Sequence, residues 1–182
     1  MVAVPLPQSK MAARMALVEQ HVACENRHDL DGVLSTFGDR AEYLDSPWGM
    51  HYEGHTGVRA FYTQLMQALP DLNIEILQRH VTDETVVLEV VIRGTHQAAW
   101  KGLPPTGRKV EIPLCGVYTF DRDDRLTGEK IYYDRGTVLR QLGVFHEPDT
   151  IIGKAAIALT HPLSILRAGL RSVFVRRPTA SH

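Results

Sequence analysis

Two long β-strands and the turn between them are predicted by residues 84–120, ETVVLEVVIRGTHQAAWKGLPPTGRKVEIPLCGVYTF. Apolar and polar residues alternate through residues 84–100 and again through residues 108–120, as in strands with one buried face. The residues LPPTG, 103–107, have the proline and glycine chemistry of a turn. We therefore predict an antiparallel strand pair as the centre of the fold.

Helices precede this strand pair in the sequence, and further strands flank it. Helices are predicted from apolar residues at helical spacing and from capping residues, and strands from alternation between turn signals. The predicted elements are, in chain order, helix 9–28, helix 30–37, strand 41–46, helix 58–68, strands 74–80, 84–100, 108–120 and 126–134, and helix 137–144. Helices followed by consecutive strands with tight turns indicate the α+β class with an antiparallel sheet.

The composition is that of an ordinary globular protein of 182 residues, 44% hydrophobic and 23% charged. A net charge of −1 gives no reason to expect a nucleic-acid partner. Cys24 and Cys115 are far apart, which favours free thiols in a reducing compartment. The first ten residues lack the pattern of a signal peptide, and no apolar stretch reaches the length of a membrane span. We expect a cytoplasmic protein.

A composition change divides the chain into a domain at residues 10–145 and a helical extension at residues 146–182. The extension carries two apolar segments, residues 151–159 and 163–175, interspersed with basic residues. A basic amphipathic helix can lie on a membrane surface. Alternatively the extension packs on the domain, covers the mouth of a pocket or joins a dimer. We favour the second group of interpretations and do not expect membrane contact, because the apolar stripe is short and the domain needs a cover.

Strand alternation also predicts which side chains face the concave side of the sheet. In the last strand the parity assigns Glu129 to the outer face. Trp48 follows the first strand and is expected to line the same space. The side chains expected on the concave side are Tyr43, Asp45, His96, Trp100, Tyr118, Tyr132 and Asp134.

A mainly apolar concavity with few polar groups is typical of small-molecule sites. Desolvation there raises the pKa of a carboxyl toward values useful for acid–base chemistry. Each candidate also has a structural interpretation: Asp134 as a helix cap or ion-pair partner, Asp45 as a turn residue, and His96 as a hydrogen-bonded core histidine. His51 and His55 have helical spacing but flank a glycine ahead of the helix, so no metal site is predicted.

Several of these segments resemble the SnoaL-like polyketide cyclase and ester cyclase family. They are Gly94–His96, Gly102–Arg108, Tyr132–Arg135 and Leu139–Gly143. The resemblance covers residues 13–144 and implies the cone-shaped, cystatin-like α+β fold of the nuclear-transport-factor-2-like superfamily. It also implies a homodimer formed through the open sheet face, and neither a metal nor an organic cofactor.

In characterised cyclases of this family, an aspartate near the end of the last strand is the acid–base group of an intramolecular aldol closure. Asp134 matches that position. The family's last strand commonly carries a His-Trp pair where this chain has Glu129 and Lys130, so the assisting histidine has no matching residue. His96 is a substitute derived from strand parity.

A second resemblance, to the ketosteroid isomerases of the same scaffold, involves residues 28–32 and 44–49. Asp45 matches their proton-shuttling aspartate. Their two oxyanion donors correspond to His21 and to a position near Gly116, so both are changed, and such donors usually supply a large share of catalysis.

Three hypotheses follow. The first is acid–base chemistry, such as an aldol-type cyclisation, on a small hydrophobic carbonyl compound by Asp134 with His96. The second is a non-catalytic small-molecule-binding domain, and the third is an isomerase or hydrolase with Asp45 as base. Substrate contacts are expected from Tyr43, Trp48, Trp100, Tyr118, Tyr132 and His21.

Overall fold

The computed structural model describes residues 8–175. Internal contacts divide the chain into two units, the first ending at Leu142 and the second beginning at Gly143. The elements of the first unit are α1 (Gln8–Asn26), α2 (Leu30–Ser35), β1 (Phe37–Asp45), β2 (Met50–Glu53), α3 (Gly54–Ala68), β3 (Asn73–Val81), β4 (Thr85–Thr95), β5 (Lys109–Phe120), β6 (Leu126–Tyr133) and α4 (Arg135–Gln141).

The six strands form one sheet in the order β2-β1-β6-β5-β4-β3. This confirms the predicted α+β class. The prediction of a wholly antiparallel sheet is wrong for one pair, because β1 and β6 run parallel. Parallel neighbours need a long connection, and the chain between β1 and β6 supplies it through α3 and four further strands. β2 was not predicted; it is a short and largely exposed edge strand.

Apolar side chains alternate as predicted in β4 and β5, where Leu88, Val90, Ile112 and Leu114 are buried. Three register shifts, in the pairs β1–β6, β3–β4 and β5–β6, curve the sheet. α1 and α3 pack their apolar faces on the concave side, and their buried residues include Val18, His21, Val22, Glu25, Val58, Phe61, Tyr62 and Leu65.

The predicted faces of β6 are wrong. Glu129 is 3% exposed and lies inside, whereas Tyr132 is 46% exposed. The cause is an irregularity in the β5–β6 ladder, where Phe120 pairs with Leu126 but the preceding residue pairs with Gly128. One extra residue in β6 reverses the alternation that begins at Leu126.

The second unit contains α5 (Ile151–Thr160) and α6 (Pro162–Val175), which match the two predicted apolar segments. The Thr150 hydroxyl accepts a hydrogen bond from the Gly153 amide at 2.9 Å and caps α5. Within residues 8–175 no helix combines the length and apolar character needed to cross a membrane.

Candidate active site

Asp45 is the last residue of β1, and its buried side chain has two polar partners. Its Oδ2 lies 2.6 Å from the Lys101 ammonium nitrogen. The Tyr133 hydroxyl donates to Oδ1 at 3.2 Å. The Asp45 and Lys101 side chains are 1% and 3% exposed, so this is a buried ion pair with an added hydrogen bond. Burial and the neighbouring Asp45 carboxylate raise the pKa of Tyr133, which keeps its hydroxyl a neutral donor.

The Lys101 ammonium is surrounded by aromatic rings as well as by the carboxylate. Its nitrogen lies 5.6 to 5.9 Å from the ring centroids of Trp48, Tyr52 and Phe61, within the range of cation–π attraction. Lys101 and Gly102 both have positive φ, 52° and 80°, in the turn that bridges Trp100 to Leu103. A lysine in left-handed backbone is uncommon, and this turn directs its side chain to Asp45.

A second polar cluster lies deeper between α1, α3 and the sheet. The Tyr62 hydroxyl donates to Glu129 Oε2 at 2.5 Å. His21 Nε2 lies 2.9 Å from the Tyr62 oxygen and 3.2 Å from Glu129 Oε2. Glu25 Oε2 lies 3.8 Å from His21 Nε2, and the buried Tyr118 ring meets that of His21 edge to face, with centroids 6.0 Å apart. We call these five residues the inner cluster.

The hydrogen bonds of the inner cluster indicate a protonated His21. The Thr36 hydroxyl donates to the Val33 carbonyl at 2.6 Å, so its oxygen accepts from His21 Nδ1 at 2.8 Å. The Tyr62 proton is directed to Glu129, which leaves His21 Nε2 as a donor as well. Burial acts to lower the pKa of His21, but the hydrogen bond with Glu129, followed by the charges of Glu25 and Glu129, outweighs it and raises the pKa.

Glu25 is the neutral acid of the inner cluster. Burial, partly opposed by the charge of His21, raises the pKa of its carboxyl from an ordinary value of 4.5 to about 8. Burial also raises the pKa of Tyr43, Tyr62 and Tyr118 well above their ordinary value. Near neutral pH the cluster therefore presents uncharged carboxyl and phenol groups beside the His21–Glu129 pair.

Two small cavities lie between the Asp45 pair and the inner cluster. One, of about 20 Å³, is lined by Asp45, Trp100 and Tyr133; the other, also about 20 Å³, is lined by Glu25, Tyr118 and Glu129. Each is large enough for about one water molecule. The walls common to both are formed by Tyr43, Leu65, Ile92, Leu114 and Ile131.

His96 is fully buried but stands apart from both cavities. Its Nδ1 accepts from the Thr106 amide at 3.3 Å, which puts the ring proton on Nε2, a buried atom without a hydrogen-bond partner. Burial lowers the pKa of His96. Its ring meets that of Trp100 edge to face, with centroids 6.3 Å apart. The geometry matches a core histidine of the turn more closely than a proton carrier.

Asp134 and Tyr132 lie outside this interior. The Asp134 carboxylate accepts from the Gly136 amide at 2.8 Å and the Thr137 amide at 3.1 Å, so it caps α4. Its side chain is 65% exposed. Hydrogen bonds from the Thr137 side chain and these amides lower the pKa of Asp134. Lys130 lies over the exposed Tyr132 ring at 5.2 Å from its centroid.

The structure thus brings Asp45, Trp48 and Trp100 together near one cavity and His21 and Tyr118 near the other, with Tyr43 in the wall common to both. Sequence reasoning missed Lys101, Tyr133, Glu25 and Glu129. A signal was present for three of them. Glu25 has helical spacing from His21 on the buried face of α1, and Glu129 and Tyr133 share the parity of the apolar Ile131.

Larger hollows of about 450 and 310 Å³ contain none of the predicted site residues. Charged residues such as Arg93, Glu111, Arg40 and Glu42 line them, so they do not suit a hydrophobic ligand. Among residues 8–175, no group of three or more histidine, cysteine, aspartate or glutamate side chains is arranged to hold a metal ion.

Solved structures share this fold at low sequence identity. AclR from Streptomyces galilaeus superposes with a TM-score of 0.67 at 23% identity, covering 82% of this chain and 97% of AclR. A protein with a ketosteroid isomerase-like fold from Catenulispora acidiphila gives 0.59 at 19% identity, covering 71% and 93%. SalBIII, an epoxide hydrolase/cyclase-like enzyme of pyran ring formation in salinomycin, gives 0.60 at 17%, covering 69% and 94%.

No curated protein has a sequence that matches this chain. The model of the SnoaL-like polyketide cyclase family matches residues 15–142, which is most of the chain and contains both the Asp45 pair and the inner cluster. The chain belongs to the SnoaL-like polyketide cyclase family.

Proposed function

We propose that this SnoaL-like protein catalyses proton transfer on a small hydrophobic carbonyl compound, with Asp45 as the base. The observation that carries the proposal is a pair of cavities that share wall residues. The Asp45 carboxylate lines one cavity, and the neutral Glu25 and Tyr118 line the other. Removing a proton next to a carbonyl produces an enolate, whose oxygen needs hydrogen-bond donors. A carboxyl group that stays protonated near neutral pH is such a donor.

In the proposed step, an Asp45 oxygen removes a proton from the carbon next to the carbonyl. The electron pair of that C–H bond forms the enolate double bond, and the carbonyl electrons move to oxygen, which accepts a hydrogen bond from Glu25. Return of the proton from Asp45 to another carbon gives an isomer. Attack of the enolate carbon on a second carbonyl closes a ring, and the new alkoxide takes the proton.

Asp45 supports this role better than Asp134. The Asp134 carboxylate already accepts two backbone amides in the α4 cap, and these hydrogen bonds favour its charged form. If Asp134 acted as a base, its carboxylate would take up the substrate proton and could no longer accept both amide hydrogen bonds of the cap. Asp45 instead is buried, and its partners are side chains that can move.

Ligand entry requires such a movement, because each cavity has room for only about one water molecule. Lys101 occupies the position in front of Asp45 and stands on a turn whose positive φ values are strained for a lysine. We propose that withdrawal of Lys101 opens Asp45 to the substrate.

A non-catalytic binding domain is the second candidate, and the ion pair itself favours it. Lys101 neutralises Asp45 at 2.6 Å, so an unmoved lysine leaves a mainly apolar binding space without a free base. The two candidates differ in whether a bound ketone exchanges its protons.

Exchange of the α-protons of 2-tetralone in deuterium oxide, followed by NMR, tests the proposal without knowledge of the natural substrate. We expect the protein to accelerate exchange and Asp45→Asn to lose at least about 100-fold of that acceleration. Asp39→Asn, at an exposed aspartate of β1, is the matched control. Near-UV circular dichroism verifies that each variant is folded. Ketone binding without any acceleration by the wild-type protein would favour the binding domain.

A further inference from the structure

The helices of the second unit expose large apolar side chains. Ile151 is 88% exposed, Ile152 63% and Leu159 83% in α5, and Leu163 is 68% and Leu166 60% exposed in α6. A helix that is apolar on nearly every side is normally buried. Exposed apolar surface of this extent marks a site of interaction with a protein or a membrane.

The charge of this part of the chain selects between those partners. Lys154, Arg167 and Arg171 are exposed on the same two helices. In the sequence, all 21 acidic residues precede residue 150, whereas five basic residues follow it. Pairing this surface with its copy in a second chain would bring like charges together. An anionic surface that also accepts apolar side chains complements both features.

We propose that α5 and α6 dock on the surface of an anionic lipid bilayer. The apolar side chains enter the boundary between headgroups and acyl chains, and the lysine and arginines contact lipid phosphates. The helices have 10 and 14 residues, fewer than the roughly 20 that a membrane-spanning helix needs, so they lie in the plane of the interface.

The sequence pattern alone favours packing of this extension on the domain or in a dimer. We base the membrane proposal on the basic and large apolar side chains that the same two helices carry. It is independent of the chemistry proposed for Asp45, because no residue of the candidate active site contributes to it.

Vesicle flotation with the full chain tests the proposal. We expect binding to vesicles of equal parts phosphatidylcholine and phosphatidylglycerol, weakened by added salt, and little binding to phosphatidylcholine alone. Reversing all three charges with Lys154→Glu, Arg167→Glu and Arg171→Glu should weaken binding about 100-fold. The matched control reverses three exposed arginines of the first unit, Arg40, Arg108 and Arg122, and should bind as the wild type does.

A second variant tests the apolar contribution. Ile152→Ser with Leu159→Ser keeps every charge and should also weaken binding to the anionic vesicles. Equal binding to both kinds of vesicle, or binding unchanged by the charge reversal, overturns the proposal. It is also overturned if the wild-type chain binds no vesicles and sediments as a dimer that the tail variants convert to a monomer, since a second copy then covers the helices.

Discussion

Two aspartates stand at the ends of neighbouring strands and have opposite surroundings. Asp45 ends β1 and is 1% exposed, with Lys101 and Tyr133 as partners. Asp134 follows β6, is 65% exposed and caps α4. A place at the end of a strand therefore does not make a carboxylate a base. The local turn and the side of the sheet decide whether it faces a cavity or a helix N-terminus.

The largest effect is expected from removing the cation beside Asp45. Lys101→Met leaves a buried carboxylate without its partner, which should cost about 3–5 kcal/mol of unfolding free energy. Urea unfolding followed by circular dichroism measures it. The double variant Asp45→Asn with Lys101→Met removes both charges and should recover most of the loss. A single variant as stable as the wild type would show that the pair is not buried in solution.

Glu25 should make stability depend on pH. Its folded pKa of about 8 lies above the ordinary 4.5, so the folded state retains a proton that the unfolded state has lost. The free energy of unfolding is therefore highest when the pH is below the ordinary carboxyl pKa, and it falls as the pH rises toward 8. Between about pH 5 and pH 8 the wild type should lose about 3 kcal/mol more than Glu25→Gln, which cannot ionise. Parallel pH profiles for the two proteins would contradict the assignment of Glu25 as a neutral acid.

Tyr133→Phe should have a smaller effect on stability than the changes at Lys101 and Glu25. The variant removes the 3.2 Å hydrogen bond to Oδ1 and keeps the ring. We expect a loss of about 1 kcal/mol in unfolding free energy, because Lys101 still pairs with the carboxylate. Tyr132→Phe, on the exposed face of the same strand, is the matched control and should be neutral. Equal effects of the two substitutions would indicate that the Tyr133 hydroxyl contributes nothing to the site.

The smallest effect on stability is expected at Asp134. Asp134→Asn retains part of the α4 cap, so Tm should fall by only a few degrees. The pKa of Asp134 is lowered in the folded protein. Its stabilising effect is therefore complete when the pH is above the ordinary pKa of the carboxyl, and it is lost as the pH falls through the lower pKa of the folded state. The Tm difference between variant and wild type should therefore shrink in acid. A difference that grows in acid would contradict the capping role.

The fold was predictable because strand alternation, turn residues and helix spacing agree along residues 8–142. Two features of the site were not. The extra residue in β6 reverses the faces of Glu129 and Tyr132; a strict alternation counted from Leu126 hides this reversal, and only the parity of the apolar Ile131 points to it. Lys101 follows a predicted strand and precedes a turn, which predicts exposure. Only the turn's backbone and the carboxylate at the end of β1 explain its burial.

The most direct test of the central claim compares 2-tetralone proton exchange by Asp45→Asn and Asp134→Asn under the same conditions. We predict that Asp45→Asn loses at least about 100-fold of the acceleration while Asp134→Asn keeps most of it. The reverse order, with exchange lost in Asp134→Asn and retained in Asp45→Asn, would contradict the account and assign the base to the exposed end of β6.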